Sequence, residues 1–444
     1  MKKDIQIEIF TTTFPSQMAS DAEKASEQFG LQVGQAIQYE WFRKDGTSCR
    51  YYAQWRDFHH VRLYARGEQP VGKYKNELAI DGDLSYLNLD WTPVPILPKF
   101  VDVVVNGMSD RLFKVKAYAQ DAMSQAKRSK YQDLIESEMV AKPVLDIIKE
   151  QSGINPFITK EDELPTNDEE LSLYMQLKYK PAIEIAEEEA INTIFDANHY
   201  QDTRKRLDYD MTVLGIAVAK HEFLPGSGVK ISYVDPANVV YSYTEDPYFR
   251  DCFYWGEIKT LPVTELLKIN PSLTKEDLQE ITMYSQGWYD YYNVAQFYQN
   301  SLFHRDTCTV LYFNYKTTKK MVYKKKILEN GGTRVIEKDD TFNPPADMME
   351  EGRFEKMEKT IDVWYEGVMV MGTNILIKWE MSENMVRPKS ASQYAIPNYV
   401  ACAPRMYKGV IESLVRRMIP FADLIQITHL KLQQVIARTV PDGV

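Results

Sequence analysis

At 444 residues, and with roughly 150 residues to a domain, the chain is long enough for two to four domains and a large core. Hydrophobic residues make up 44% of it and charged residues 26%, both in the globular range. The formal charge of −10 argues against a coat that grips nucleic acid, since phosphate neutralisation supplies most of such affinity; it is neutral on a conduit, where a strong grip would act as a brake.

The four cysteines, Cys49, Cys252, Cys308 and Cys402, show no Cys-x-x-Cys spacing, so a disulfide framework or zinc site is not expected. They read as small buried hydrophobes in a reducing compartment. The opening Met1-Lys2-Lys3-Asp4-Ile5 has no apolar run of signal-peptide length, and no stretch approaches a membrane span, so a cytoplasmic product is expected. Tyrosines outnumber phenylalanines 29 to 18, which suits either subunit interfaces or an ordinary β-rich core.

In chain order, helical spacing of apolar residues predicts one or two helices over Ser16 to Phe42 and a short one over Asp57 to Ala65, ended by Gly67. Phe100, Val101, Val104, Val105 and Met108 recur at three and four, a helix from Pro98 to Phe113 with a buried stripe. Lys114 to Tyr118 alternates like a strand, and a helix runs from Ser124 to about Glu150 unless Pro143 shortens it. Between Lys160 and Ala190 there are ten acidic and three basic residues, most simply a solvated face: an exposed loop over Glu161 to Glu170, then a helix.

Strands follow at 215–219, 229–233 and 253–257, separated by turn clusters such as Pro225-Gly226-Ser227-Gly228 and Asp246-Pro247. Helical periodicity returns between Val263 and Tyr284, with Thr274 as N-cap and Asp277 three residues on. A second β region spans Thr307 to Met381, with strands at 309–313, 361–365, 368–371 and 375–379. The polar stretch from Asn330 to Met357, with Gly331-Gly332 and Pro344-Pro345, reads as a loop.

No catalytic, cofactor or metal motif survives scrutiny. Gly67-Glu68-Gln69-Pro70-Val71-Gly72-Lys73-Tyr74 nearly spells a phosphate-binding loop. Tyr74 stands where a Ser or Thr would ligate Mg²⁺, Pro70 removes a backbone N–H, and a helix precedes it where a strand is required. It reads as a loop after a helix. His59 and His60 would point about 100° apart on a helix. His199, His221, His304 and His429 lack clustered ligands. Asp339-Asp340 and Glu350-Glu351 lie in the polar loop, where geometry is not held, and Asp81-Gly82-Asp83 lacks the glycine an EF-hand needs at its sixth position, Tyr86.

Two basic features remain. Lys316, Lys319, Lys320, Lys324, Lys325 and Lys326 lie on and around two expected strands, with Tyr315 and Tyr323 interleaved. They read either as an edge hairpin protected against unwanted pairing or, once several subunits assemble, as a basic ring facing phosphate. Towards the C-terminus, Val410, Ile411, Leu414, Val415, Met418 and Ile419 form one apolar stripe, broken at Pro420. Phe421, Leu424, Ile425, Leu432, Val435 and Ile436 form another. Arg405, Lys408, Arg416, Arg417, Lys431 and Arg438 lie between, against Glu412 and Asp423, and Glu412 is spaced to support the helix through Arg416. A basic amphipathic helix pair can serve a membrane, a partner helix or a nucleic acid; with folded chain before it and no anchor, packing against neighbours is favoured.

Several stretches together resemble the portal proteins of crAss-like tailed bacteriophages. They are Arg62-Leu63-Tyr64-Ala65-Arg66-Gly67, Leu89-Asp90-Trp91 with 98–107, Tyr233-Val234-Asp235-Pro236, 244–249, Lys378-Trp379-Glu380, Val386-Arg387-Pro388-Lys389-Ser390 and the run from Ala403 to Val444. The resemblance implies a multidomain α+β chain: a wing-like region over 1–272, a first stem-like helical segment over 273–305, a β-rich clip-like region over 306–404 and second stem-like helices over 405–444. It implies a chain running on beyond Val444, and a non-enzymatic ring, usually of twelve subunits, at the unique capsid vertex of a virion made in the bacterial cytoplasm. Its implied partners are further copies of itself, the major capsid protein, terminase, head–tail adaptors and double-stranded DNA without sequence specificity; no membrane is involved. The DNA-facing or interface candidates are Lys316, Lys319, Lys320, Lys324, Lys325, Lys326, Arg405, Lys408, Arg416 and Arg417. A head–tail adaptor or another non-enzymatic virion scaffold is the alternative.

Overall fold

The computed structural model describes residues 13–43, 49–79, 89–110, 114–119, 121–152, 164–177, 179, 181–282, 307–327, 333–338 and 354–439. They fold as mixed α+β in two compact units, one of Met1–Ser109 with Thr203–Val444 and one of Asp110–Asp202.

The larger unit opens with α1 (Asp21–Lys24) and α2 (Glu27–Phe42). Ser20 and Glu23 close a reciprocal capping box on the first, and the Ser26 hydroxyl caps the second. Then come α3 (Arg50–Arg66), α4 (Gly72–Leu78) and α5 (Leu97–Ser109). α3 starts a turn and more before the expected Asp57 because Cys49 serves as its N-cap. It ends as expected at Gly67, whose φ of 73° only a residue without Cβ adopts freely. In α5 the expected stripe splits. Leu97 and Val101 are buried, whereas Phe100, Val103 and Val104 face outward.

After α9 (Tyr200–Val213), whose largely polar sequence hides it from periodicity, the chain forms β1 (Ala217–Leu224), β2 (Gly228–Val234), β3 (Val239–Tyr241) and β4 (Tyr254–Pro262). α10 (Val263–Ile269) stops before Pro271, and a further helix, α11, covers 275–282. Thr274 caps α11 as expected: its hydroxyl accepts from the Asp277 N–H at 3.2 Å and the Asp277 carboxylate accepts from the Thr274 N–H at 3.0 Å.

The long strands β5 (Thr307–Ile327) and β7 (Phe354–Val370) follow, with β6 (Thr333–Lys338) and β8 (Leu376–Met381). The expected strands 361–365 and 368–371 are one strand. The expected 330–357 loop contains β6 and the start of β7, while its Gly331-Gly332, Pro344-Pro345 and both carboxylate pairs lie outside the described residues, as does Asp81-Gly82-Asp83. β9 (Tyr399–Cys402), the hairpin β10 (Met406–Tyr407) and β11 (Val410–Ile411), and α12 (Leu414–Thr439) complete the unit.

A six-stranded antiparallel sheet runs β3-β4-β5-β7-β8, with β6 also paired to β5, and a three-stranded sheet runs β2-β1-β9. α2 lies on the larger sheet through two glycines one turn apart. A Cβ on Gly30 would meet the Trp379 ring at 2.5 Å, and one on Gly34 the Met369 sulfur at 2.8 Å. The main core spreads from there, around Trp41, Tyr64, Trp255, Phe313 and Trp364. Trp41 donates to the Tyr254 hydroxyl at 2.9 Å, so its buried ring carries no orphaned donor.

The C-terminal region corrects two expectations. Residues 406–411 form a hairpin, not the start of a helix, because Lys408 and Gly409 both adopt positive φ (47° and 74°), the conformation of a tight two-residue hairpin turn. Pro420 does not divide the helix that follows; α12 is continuous through it, begun by the Ser413 hydroxyl accepting from the Arg416 N–H at 3.0 Å.

The smaller unit contains α6 (Ala122–Ser152), α7 (Asp168–Leu177) and α8 (Ala182–Ala197) around Ile135, Leu164, Leu171 and Met175. Pro143 lies inside α6 without ending it. Residues 114–119 are not a strand. Their Ala117 and Ala119 N–H groups donate to Glu188 and Glu184 at 3.0 and 2.8 Å, so two carboxylates of the acidic run satisfy backbone, and Glu184 is buried rather than a solvated face.

Candidate functional site

β5 and β7 carry the lysine cluster, and strand alternation divides it. Lys316, Lys320, Lys324 and Lys326 share one face; Lys319 and Lys325 take the other. β7 answers with carboxylates. Lys316 pairs with Asp362 at 2.8 Å, Lys320 with Glu358 at 2.7 Å and Lys325 with Glu355 at 2.9 Å. Glu358 also meets Lys356 at 2.9 Å, and hydrogen bonds from Lys320 and Lys356 hold its carboxyl down at about 2. The chain therefore presents a ladder of alternating charge on this ribbon. Glu355 escaped the sequence reading because it was assigned to a loop; the alternation Glu355-Lys356-Met357-Glu358-Lys359 was the available signal.

The C-terminal cations are placed differently. Arg405 is exposed beside the hairpin, and the Lys408 ammonium at its tip lies 5.5 Å from the centre of the Tyr407 ring. Arg416 does not pair with Glu412; it reaches Asp57 on α3 at 2.5 Å, and Glu412 pairs instead with Arg417 at 2.7 Å. The spacing suggested otherwise because Glu412 lies before the first turn of α12, outside helical register.

The phosphate-loop lookalike is a structural clamp. Gly72 opens α4, the Lys73 ammonium pairs with Asp423 of α12, and Tyr74 is fully buried with its hydroxyl donating to Asp423 at 2.8 Å. Tyr64 donates to the same oxygen at 2.7 Å, and burial, with that bond, pushes its phenol up to about 12. Burial would raise the Asp423 carboxyl, but the bonds from Lys73, Tyr64 and Tyr74 outweigh it and hold it below its usual value. Nothing in this arrangement cradles phosphate. His59 stacks on Trp55 with ring centres 5.3 Å apart, and among the described residues no three His, Cys, Asp or Glu side chains gather as a metal site.

The stretches that carry the phage resemblance meet one another. Arg62 makes a bidentate pair with Asp235 (3.1 and 2.7 Å) and reaches Asp210 at 3.4 Å, while Tyr233 also donates to Asp210. Gly67 backs onto Pro95 so closely that a Cβ would stand 2.7 Å from the proline ring. The Asp90 and Val94 N–H groups donate to Gln433 and Gln426 of α12, and Ala403 donates to the Pro247 carbonyl at 2.8 Å. No protein-family model matches this chain, and no curated protein matches it. Among the described residues no helix is long and apolar enough to cross a membrane.

Proposed function

We propose that the chain is a subunit of a portal ring of a crAss-like tailed phage, a conduit for double-stranded DNA in packaging and ejection and a platform for terminase and head–tail adaptors. The observation that carries this reading is the convergence of the resembling stretches. Residues 62–67, 233–236 and 89–91 with 98–107, scattered in sequence, meet one another and α12 through Arg62–Asp235, Gly67–Pro98, Asp90–Gln433 and Tyr64–Asp423. A resemblance confined to unrelated surface loops would not hold together in that way. Arg405, Lys408 and the β5 lysines are the groups that would slide against phosphate without reading sequence, their weak field multiplied by ring symmetry. No step of catalysis is assigned to the chain.

Negative-stain electron microscopy of the purified protein tests this. Rings with a central hole of roughly 20 Å or more, the scale of duplex DNA, are expected. Rings without such a hole would favour the head–tail adaptor, and a population of single particles would overturn both.

A further inference from the structure

The two strands that flank the β5/β7 pair leave it at the same place. β4 last opposes β5 at Tyr315, β8 first opposes β7 at Tyr365, and Tyr315 and Tyr365 are themselves partners. One more backbone bond follows on each side, from the Lys316 N–H to the Phe253 carbonyl at 2.8 Å and from the Ser382 N–H to the Trp364 carbonyl at 2.8 Å. β6 joins β5 only at Val322. Between those points, over 317–321 and the facing 359–363, β5 and β7 run as a two-stranded neck with no third strand among the described residues. A two-stranded ribbon twists more than a wide sheet and is marginal on its own. The neck is therefore where the outer arm, β6 with the far ends of β5 and β7, would bend against the body of the sheet.

The neck is gripped at its middle, on both edges and at one rung. Thr318 and Asp362 face each other, and both turn backbone groups away from the pair. On the β5 edge the Lys24 ammonium of α1 donates to the Thr318 carbonyl at 2.7 Å and to its hydroxyl at 3.3 Å. The Lys320 N–H donates to Asp21, one turn back on the same helix, at 3.2 Å. On the β7 edge the Arg387 guanidinium donates to the Asp362 carbonyl at 2.6 Å, and the Asp362 N–H donates to the Gln393 carbonyl at 2.8 Å. Lys24 is only 4% exposed, yet its ammonium pairs with no carboxylate among the described residues; its charge goes to this rung. Before α1, Phe14 stacks on Tyr315 with ring centres 5.9 Å apart and the Thr317 hydroxyl donates to Gln17 at 2.8 Å, so that segment lies along a face of the neck. A further strand would fix the neck through a ladder. Side chains and one loop carbonyl hold it through a few bonds that can open without unzipping any strand pairing. We infer that Asp21 and Lys24 on one edge, and Arg387 and Gln393 on the other, form a releasable collar on a hinge. Closed, it holds the arm at one angle to the sheet; open, it lets the arm swing about the neck. The collar thereby sets where the outer charges of the ribbon, Lys325 with Glu355 among them, are presented. The inference rests on strand register and these bonds, and stands apart from the portal reading.

The test is a spin-label distance measurement on the full chain, with Cys402→Ser as background because the other three cysteines are buried. Labels at Val335→Cys on β6 and Ala53→Cys on α3, both exposed positions, report the arm; Ala53→Cys with Ser227→Cys in the β1–β2 turn reports the body. The chain with its collar intact should give one narrow arm distance. Lys24→Met/Arg387→Met should broaden that distribution about twofold or more while the body distance keeps its width, since a freed two-stranded neck is marginal. An arm distance already broad with the collar intact, or still narrow without it, would overturn the inference. Broadening of both distances would overturn it too, by showing that Lys24 and Arg387 hold the body and not the arm. If the double change prevents folding, Arg387→Met alone carries the test, and an unchanged arm width there sinks the collar.

Discussion

The hydroxyl of Tyr64 on α3 donates to the carboxylate of Asp423 on α12, 2.7 Å away across 359 residues of chain. With Tyr74 and Lys73 on the same carboxylate, this is a buried tie between the N-terminal helices and the C-terminal one, beside the exposed Arg416–Asp57 pair. Asp423→Asn should therefore lower stability by about 1–3 kcal/mol in urea unfolding, since two buried phenols and an ammonium lose a charged acceptor. The pH dependence follows from the depressed carboxyl. Its stabilisation is complete above the unfolded value and is lost as pH falls through the folded one, so the gap between wild type and variant should close only below about pH 4.

Arg62 gives the opposite slope. Burial raises the Asp210 carboxyl above its ordinary value, against the pull of Tyr233 and Arg62, so ionised Asp210 costs stability at neutral pH and the cost disappears as it protonates. Arg62→Met removes its cation and should cost about 2 kcal/mol near pH 7, a deficit that shrinks as pH falls towards the raised carboxyl. A pair of urea titrations, near pH 7 and near pH 5, checks it; an equal deficit at both would rule out Asp210 as the cause.

Gly30 is where α2 meets the large sheet. In Gly30→Ala the new methyl would stand 2.5 Å from the Trp379 ring, and because that indole is held by its N–H on the Lys24 carbonyl at 3.0 Å, the helix must move instead. A loss of about 1–3 kcal/mol is expected despite the better helix propensity of alanine. An unchanged or raised melting temperature would contradict the close packing.

The ribbon of β5 and β7 should behave as an electrostatic ladder. Lys320→Glu should lower the melting temperature at low salt and much less at high salt, and adding Glu358→Lys should restore it, because the swapped pair recreates the 2.7 Å contact. Failure of the second change to rescue the first would show that Lys320 acts through something other than Glu358.

Much of this architecture is written locally. Ser20 with Glu23, Thr274 with Asp277 and Gly67 mark helix ends because caps need a specific side chain, or none, within a turn of the backbone they satisfy. Strand alternation located β2 and, in the large sheet, β4, β8 and parts of β5 and β7 for the same reason, but not the short β3. Prolines misled: Pro143 and Pro420 each sit inside a continuous helix, since one missing N–H is tolerated when the turns on either side are held.

By itself the sequence determined the mixed α+β class, the helix ends marked by Gly67 and Thr274, the lysine cluster and the 421–436 apolar stripe of the C-terminal helix, all of them set by neighbours a few residues apart. Only tertiary structure decided what those features face. It paired the β5 lysines with Asp362, Glu358 and Glu355, gave Lys73 a partner in Asp423, and buried Val415 of the first apolar stripe while leaving the 421–436 stripe outside. Charge and apolar surface are local properties of a residue, but their use depends on which distant segment arrives opposite, and no spacing along the chain encodes that arrival.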